Sequence, residues 1–189
     1  MTILIVNICK EKLHYLEFVK PIEDILEEEE IEFKSVHYKK ITDKDLFSKK
    51  IKKIIICGTS LKDNDFLENI EKFKWIKIVS EDFKKPILGI CGGMQVISLI
   101  YYSYLTKNTQ IGMNKIEFKK DFLNIKSKEK IEVYELHNNT IEINKDNFNI
   151  CASSKNSVQA IKHKEFEIYG TLFHPEVRNK NMIKNFCKL

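Results

Sequence analysis

The chain has 189 residues, 43% of them hydrophobic and 31% charged, and 32 basic against 27 acidic side chains leave a net charge of +5. This is the composition of a globule with enough apolar material for one core, and because Lys alternates with Glu and Asp throughout, it speaks against a dedicated nucleic-acid groove. No apolar stretch approaches a membrane span, the run Met1–Val6 is too short for a signal peptide, and the five cysteines, odd in number and without CxxC spacing, suggest neither a disulfide framework nor a zinc site, so a reducing, cytoplasmic setting is expected.

Thr2–Ile8 is a continuous apolar run, as in a strand buried on both faces. Lys12–Glu30 has helical spacing at Leu13, Leu16, Val19, Ile22, Ile25 and Leu26. A short strand is expected at Ile31–Val36, a helix at Asp43–Lys50, and a second buried strand at Ile51–Cys57, running into Gly58-Thr59-Ser60. Asp65–Phe83 reads mostly as helix, Pro86–Ile90 as strand and Met94–Leu105 as helix. Strand alternating with helix is the pattern of a parallel sheet covered on both faces. The second half reads as shorter strands, Lys115–Phe118, Ile131–Leu136, Asn149–Ala152, Ser157–Lys162 and Glu167–Phe173, closed by a helix over Asn179–Lys188. The expectation is a single three-layer α/β domain over residues 1–189, with a mainly parallel central sheet extended by antiparallel strands.

Only six glycines are present, and Gly89, Gly92 and Gly93 crowd around Cys91 between a strand and a helix. A reactive side chain at the apex of such a turn is a nucleophile elbow: the apex is strained, and glycine nearby removes collisions. The helix N-terminus behind the sulfur favours thiolate over thiol. A cysteine nucleophile needs a base and a group to orient that base. Of the five histidines, His174 ends the run Ile168–Phe173 and is followed by Pro175-Glu176. Strand ends are where an open α/β sheet places its active site, and Glu176 is spaced to receive the far N–H of His174. His14 and His37 fall in surface-like segments, and His163 sits among lysines and is expected to be solvated. Cys57 and Cys151 lie in apolar runs and read as buried small hydrophobes.

Gly89-Ile90-Cys91-Gly92-Gly93-Met94-Gln95, together with Tyr169-Gly170-Thr171-Leu172-Phe173-His174-Pro175-Glu176, resembles the class I (triad) glutamine amidotransferases, whose signatures are G-x-C-x-G-x-Q and Y-G-x-Q-F-H-P-E. The resemblance covers essentially the whole chain. It implies the flavodoxin-like fold of that family, with Cys91 as nucleophile, His174 as base and Glu176 as its orienter. Gly58 and Gly92 would lend N–H groups to an oxyanion hole, and Gln95, His137 and Asn138 would hold the substrate. No metal or organic cofactor is implied. The implied reaction is hydrolysis of glutamine to glutamate and ammonia, the ammonia passing to a synthase subunit on another chain, since no phosphate-binding G-x-x-x-x-G-K-[ST] motif is present. A GMP synthase-like acceptor fits best, and an anthranilate or aminodeoxychorismate synthase-like one next. The alternatives are a γ-glutamyl hydrolase or peptidase of the same superfamily and a non-catalytic regulatory module. Cys57-Gly58-Thr59-Ser60 stands where the family loop is commonly S-G-G-P, which leaves the subfamily open.

Overall fold

The computed structural model describes Met1–Leu189 and is built on one nine-stranded sheet. Five strands run parallel: β1 (Thr2–Asn7), β2 (Glu32–His37), β3 (Ile51–Ile56), β4 (Ile87–Ile90) and β9 (Ile168–Thr171). Their order is β2-β1-β3-β4-β9. The sheet then continues antiparallel through β8 (Val158–His163), β7 (Phe148–Ser153), β5 (Tyr104–Phe118) and β6 (Lys130–Glu142). The mixed sheet, parallel at its centre and extended by antiparallel strands, is therefore the one the sequence predicts. Apolar runs mark β1, β4 and Ile54–Ile56 of β3 because both faces of the sheet are covered there.

The helices differ from expectation at three places. Lys12–Glu30 is two helices, α1 (Lys12–Phe18) and α2 (Lys20–Glu28), hinged at Val19. Pro21 explains the break: it has no N–H to continue the first helix but is well placed in the first turn of a second. The 65–83 segment is α4 (Asp65–Glu68), a 3-10 turn (Ile70–Phe73) and α5 (Trp75–Glu81), after the short α3 (Asp43–Phe47). The helix expected over 94–105 is α6 (Gly92–Ile100). It stops where Tyr102 turns left-handed at φ 63°, with Tyr102 N–H donating to Leu99 O and Ser103 N–H to Ser98 O. From Tyr104 the chain runs as β5 instead of helix. The expected strands at 115–118 and 131–136 are only the inner ends of a 15-residue and a 13-residue arm, β5 and β6, paired as one long hairpin.

α7 (Asn181–Lys188) closes the chain beside α2 and is tied to β3 through one side chain. Lys53, in the middle of a strand, is only 4% exposed, and its Nζ donates to Phe186 O at 2.9 Å, Cys187 O at 2.6 Å and Leu189 O at 2.9 Å. Burial holds this ammonium below the ordinary lysine range, yet it supplies donors that the last carbonyls of a helix otherwise lack. Lys53→Met is therefore expected to cost about 2 kcal/mol by stranding those oxygens, measured as a lower urea midpoint at unchanged slope. An unchanged midpoint would show that α7 does not need the clamp.

Candidate active site

β4 ends in Cys91, which sits at φ 48°, ψ −103° and is the N-cap of α6. A non-glycine residue holds this conformation only where its surroundings enforce it. Here Cys91 N–H donates to Thr171 O on β9 at 2.7 Å, while Cys91 O accepts from Gln95 N–H at 3.0 Å. The turn is so tight that a Cβ on Gly89 would lie 2.6 Å from the Gly93 carbonyl, and one on Gly93 would lie 2.3 Å from Ile56 O. Backbone meets backbone at both points, which is why glycine occupies them.

His174 follows β9, one strand over. Its ring is 1% exposed and packs against Phe18 of α1, with centroids 5.4 Å apart. Nδ1 meets Glu176 Oε1 at 2.7 Å in a pair buried from solvent. Burial pushes the imidazole toward neutrality, but the Glu176 carboxylate and the Cys91 sulfur outweigh it and hold His174 protonated well above its ordinary range. Nε2 is left without a hydrogen-bond partner. The His174 ring and Cys91 Cβ both lie against one point: a Cβ on Gly58 would be 2.6 Å from His174 Cε1 and 3.3 Å from Cys91 Cβ. Thiol, imidazole and carboxylate, far apart in sequence, thus converge at the C-terminal ends of β4 and β9, with Gly58 from the end of β3 against them.

β6 forms the far wall. Although last in strand order, it curls back over the elbow: Tyr134 O accepts from His174 N–H at 2.9 Å, and Asn139 O from Gln95 Nε2 at 3.1 Å. Leu136 O lies 3.5 Å from Cys91 Sγ. Between β6 and the loop after β3 is a narrow cleft of about 20 Å³, lined by Thr59, Asp63, Cys91, Gln95, His137 and Asn138 among others. The Gly58 N–H makes no hydrogen bond, and the Gly92 N–H opens the first turn of α6, where helix donors lack intrahelical partners. The arrangement can polarise a carbonyl while a sulfur attacks it.

The model of the class-I glutamine amidotransferases matches residues 14–188. The chain belongs to that family. Among solved structures, a Thermoplasma acidophilum protein provisionally assigned as a GMP synthase subunit superposes with a TM-score of 0.83 at 26% identity, covering 100% of this chain and 92% of that one. A Thermotoga maritima glutamine amidotransferase has a TM-score of 0.71 at 17% identity, covering 100% and 81%. One from Methylobacillus flagellatus has a TM-score of 0.68 at 16% identity, covering 99% and 74%. The last two are likenesses of fold. No curated protein sequence matches the chain.

Within this amidotransferase fold the remaining predicted residues are not equivalent. Gln95 is tied to the β6 backbone at the cleft wall. The Asn138 amide is spent at both ends, donating to Leu61 O at 2.8 Å and accepting from Thr109 Oγ1 at 3.1 Å, so it braces the cleft from behind. His137 is buried, with Nε2 against Glu135 Oε2 at 2.9 Å and Nδ1 bare. Glu135 also accepts from Asn114 at 2.7 Å and Gln159 at 2.9 Å; burial raises its affinity for a proton, but these donors prevail and keep it below the ordinary carboxylate range. Glu135, Gln159 and Asp63 escaped sequence reasoning, because a strand carboxylate reads as solvated until its partners are known. For Asp63 the signal available was its place in Asp63-Asn64-Asp65, just past the glycine that ends a buried strand.

The other histidines are corrected in part. His163 is buried, not solvated: strand alternation turns it inward, away from Lys162 and Lys164, onto Tyr101, Phe148 and Phe166. His14 faces Asp63 at 3.4 Å, and His37 Nε2 meets Cys9 O at 3.1 Å. All five cysteines are free and buried. No group of three His, Cys, Asp or Glu side chains converges as a metal ion would need, and no helix is long and apolar enough to cross a membrane.

Proposed function

We propose that the chain hydrolyses glutamine through a Cys91 γ-glutamyl thioester and delivers ammonia to a separate synthase subunit, with a GMP synthase-like acceptor first. The observation that carries this reading is the buried His174–Glu176 pair beside a cysteine held at φ 48° on a strand-to-helix elbow. The sulfur, once turned from Leu136 O to Nε2 of His174, attacks the carboxamide carbon as the thiolate of a thiolate–imidazolium pair. Gly58 and Gly92 N–H groups receive the developing oxyanion, an effect of about 3 kcal/mol per donor. Imidazolium Nε2 protonates the leaving nitrogen, ammonia departs, and the thioester remains. Water then attacks, His174 takes its proton, glutamate leaves and the sulfur is restored. The sum is glutamine and water to glutamate and ammonia.

Leu136 O lies 3.5 Å from the sulfur, which must turn toward Nε2 of His174 before it can attack. The isolated chain is therefore a slow glutaminase, faster when a synthase shifts β6. The GMP synthase assignment of the Thermoplasma relative supports that choice of partner. Labelling with 6-diazo-5-oxo-L-norleucine, an electrophilic glutamine analogue, tests the reading: a covalent adduct on Cys91 is expected, with ammonia release stimulated by the synthase. An unlabelled Cys91, even with synthase present, would instead favour a non-catalytic module. Equally fast hydrolysis of γ-glutamyl conjugates without any partner would favour a hydrolase.

His174 also predicts a pH signature. Its folded affinity for protons is raised from 6.5, so its stabilising contribution is complete below that pH and fades as pH climbs through the folded value. In the wild type, alkylation of Cys91 by iodoacetamide should vary little between about pH 6 and pH 8. Glu176→Gln removes the main opposing charge and leaves burial to drive the imidazole neutral. Alkylation should then rise roughly tenfold per pH unit, as for an unassisted thiol. Parallel profiles in the two proteins would dissociate Glu176 from the sulfur's reactivity.

A further inference from the structure

Two residues that line the cleft each carry a buried polar atom without a partner, and the steps above use neither: Asp63 Oδ1 and His137 Nδ1. Asp63 is 3% exposed. Its Oδ2 is fully engaged, accepting from Thr59 Oγ1 at 2.8 Å and from the Lys10 backbone N–H, with His14 Nδ1 at 3.4 Å. Oδ1 accepts nothing. In neutral His137 the Nε2–H donates to the Glu135 carboxylate, which can only accept, and Nδ1 then presents a lone pair. Both orphans therefore call for donors. A buried acceptor without one is costly and rare, and persists where a ligand supplies the hydrogen. Asp63 is the only acidic residue lining the cleft, no Lys or Arg lines it, and Cys91 stands in the same wall.

We infer that Asp63 receives the α-ammonium group of the substrate amino acid through Oδ1, with His137 Nδ1 as a second acceptor, making the loop after β3 a reader of the free amine. This rests on the glutaminase reading and adds to it a residue that fixes which end of the substrate lies away from the sulfur. A neutral amide at the α-nitrogen has neither the charge nor the three N–H donors these atoms require, so N-acylated substrates are rejected.

The test compares alkylation of Cys91 by 6-diazo-5-oxo-L-norleucine, by its N-acetyl derivative and by iodoacetamide, in the full chain and in Asp63→Asn. In the wild type the free amine should react about 10- to 100-fold faster than the acetylated probe, the range of a charge-assisted hydrogen bond. In Asp63→Asn that preference should fall below about threefold, while iodoacetamide, which has no amino-acid head, reacts alike in both proteins. A preference that survives Asp63→Asn overturns the inference and leaves the glutaminase reading intact. If iodoacetamide alkylates wild-type Cys91 but the free-amine probe does not, both fall. Because Asp63 also braces Lys10 and Thr59, the variant could lose its fold. The wild type then decides alone: L-glutamine should shield Cys91 from iodoacetamide, and glutaramate, the same amide without its amine, should not. Equal shielding by the two overturns the inference.

Discussion

Cys91→Ala is expected to lower glutamine hydrolysis by about 10⁴-fold or more, because no other group in the cleft can form the thioester. Its effect on stability should run differently. The strain lies in the backbone at φ 48°, ψ −103°, not in the sulfur, and alanine inherits it. Cys91→Gly removes both the nucleophile and the penalty that a side chain meets there, which is about 1–3 kcal/mol for a residue in such a region. The dead glycine variant should therefore be more stable than the dead alanine variant by about 1 kcal/mol after glycine's own entropic cost, read as a higher urea midpoint. Residual ammonia release from Cys91→Ala above background would remove the sulfur from the mechanism. A glycine variant less stable than alanine would show that the elbow is not strained.

That elbow was legible in the sequence for the same reason that it is strained. A backbone forced into close approach needs glycine, and in a chain with six of them three around one cysteine is a visible signal. The parallel half was legible because strands covered on both faces admit few polar residues, so β1, β4 and the end of β3, Ile54–Ile56, read as apolar runs. The β5–β6 hairpin was not. Its outward face carries Tyr104, Ile111 and Met113 at 70%, 64% and 50% exposure beside Lys and Thr, and a strand half in water gives weak alternation and no apolar run. The end of α6 was hidden too, since a tyrosine rather than a glycine takes the left-handed position there. The missed arm is the one that folds back to wall the cleft, so the His174–Glu176 motif could be read locally, whereas Leu136 O, Glu135 and the bare His137 nitrogen required the curl of the sheet.

Gly93→Ala is expected to be the most damaging single methyl in the molecule. The added Cβ would stand 2.3 Å from Ile56 O, 2.9 Å from Ile56 C and 3.0 Å from Ile56 Cβ. Ile56 cannot yield, because β3 is clamped between Val6 of β1 and Gly89 of β4. The start of α6 must lift away instead, and the cost should reach about 3 kcal/mol, the upper end for an inserted methyl in a packed interior. Lifting α6 also carries Cys91 away from His174 and the Gly58 N–H. A displacement of about 1 Å there costs on the order of 10²-fold in rate, so whatever protein folds should alkylate slowly with the glutamine analogue. Gly92→Ala is the contrast. Its Cβ would meet Ile8 Cδ1 at 2.7 Å and Phe66 Cζ at 3.2 Å, side-chain ends that can swing aside, and its urea midpoint should drop by less than half as much. Equal losses from the two neighbours would mean that the helix start is generally crowded, whereas a large loss confined to Gly93 identifies the β3–α6 backbone contact as what holds the cysteine in its strained position.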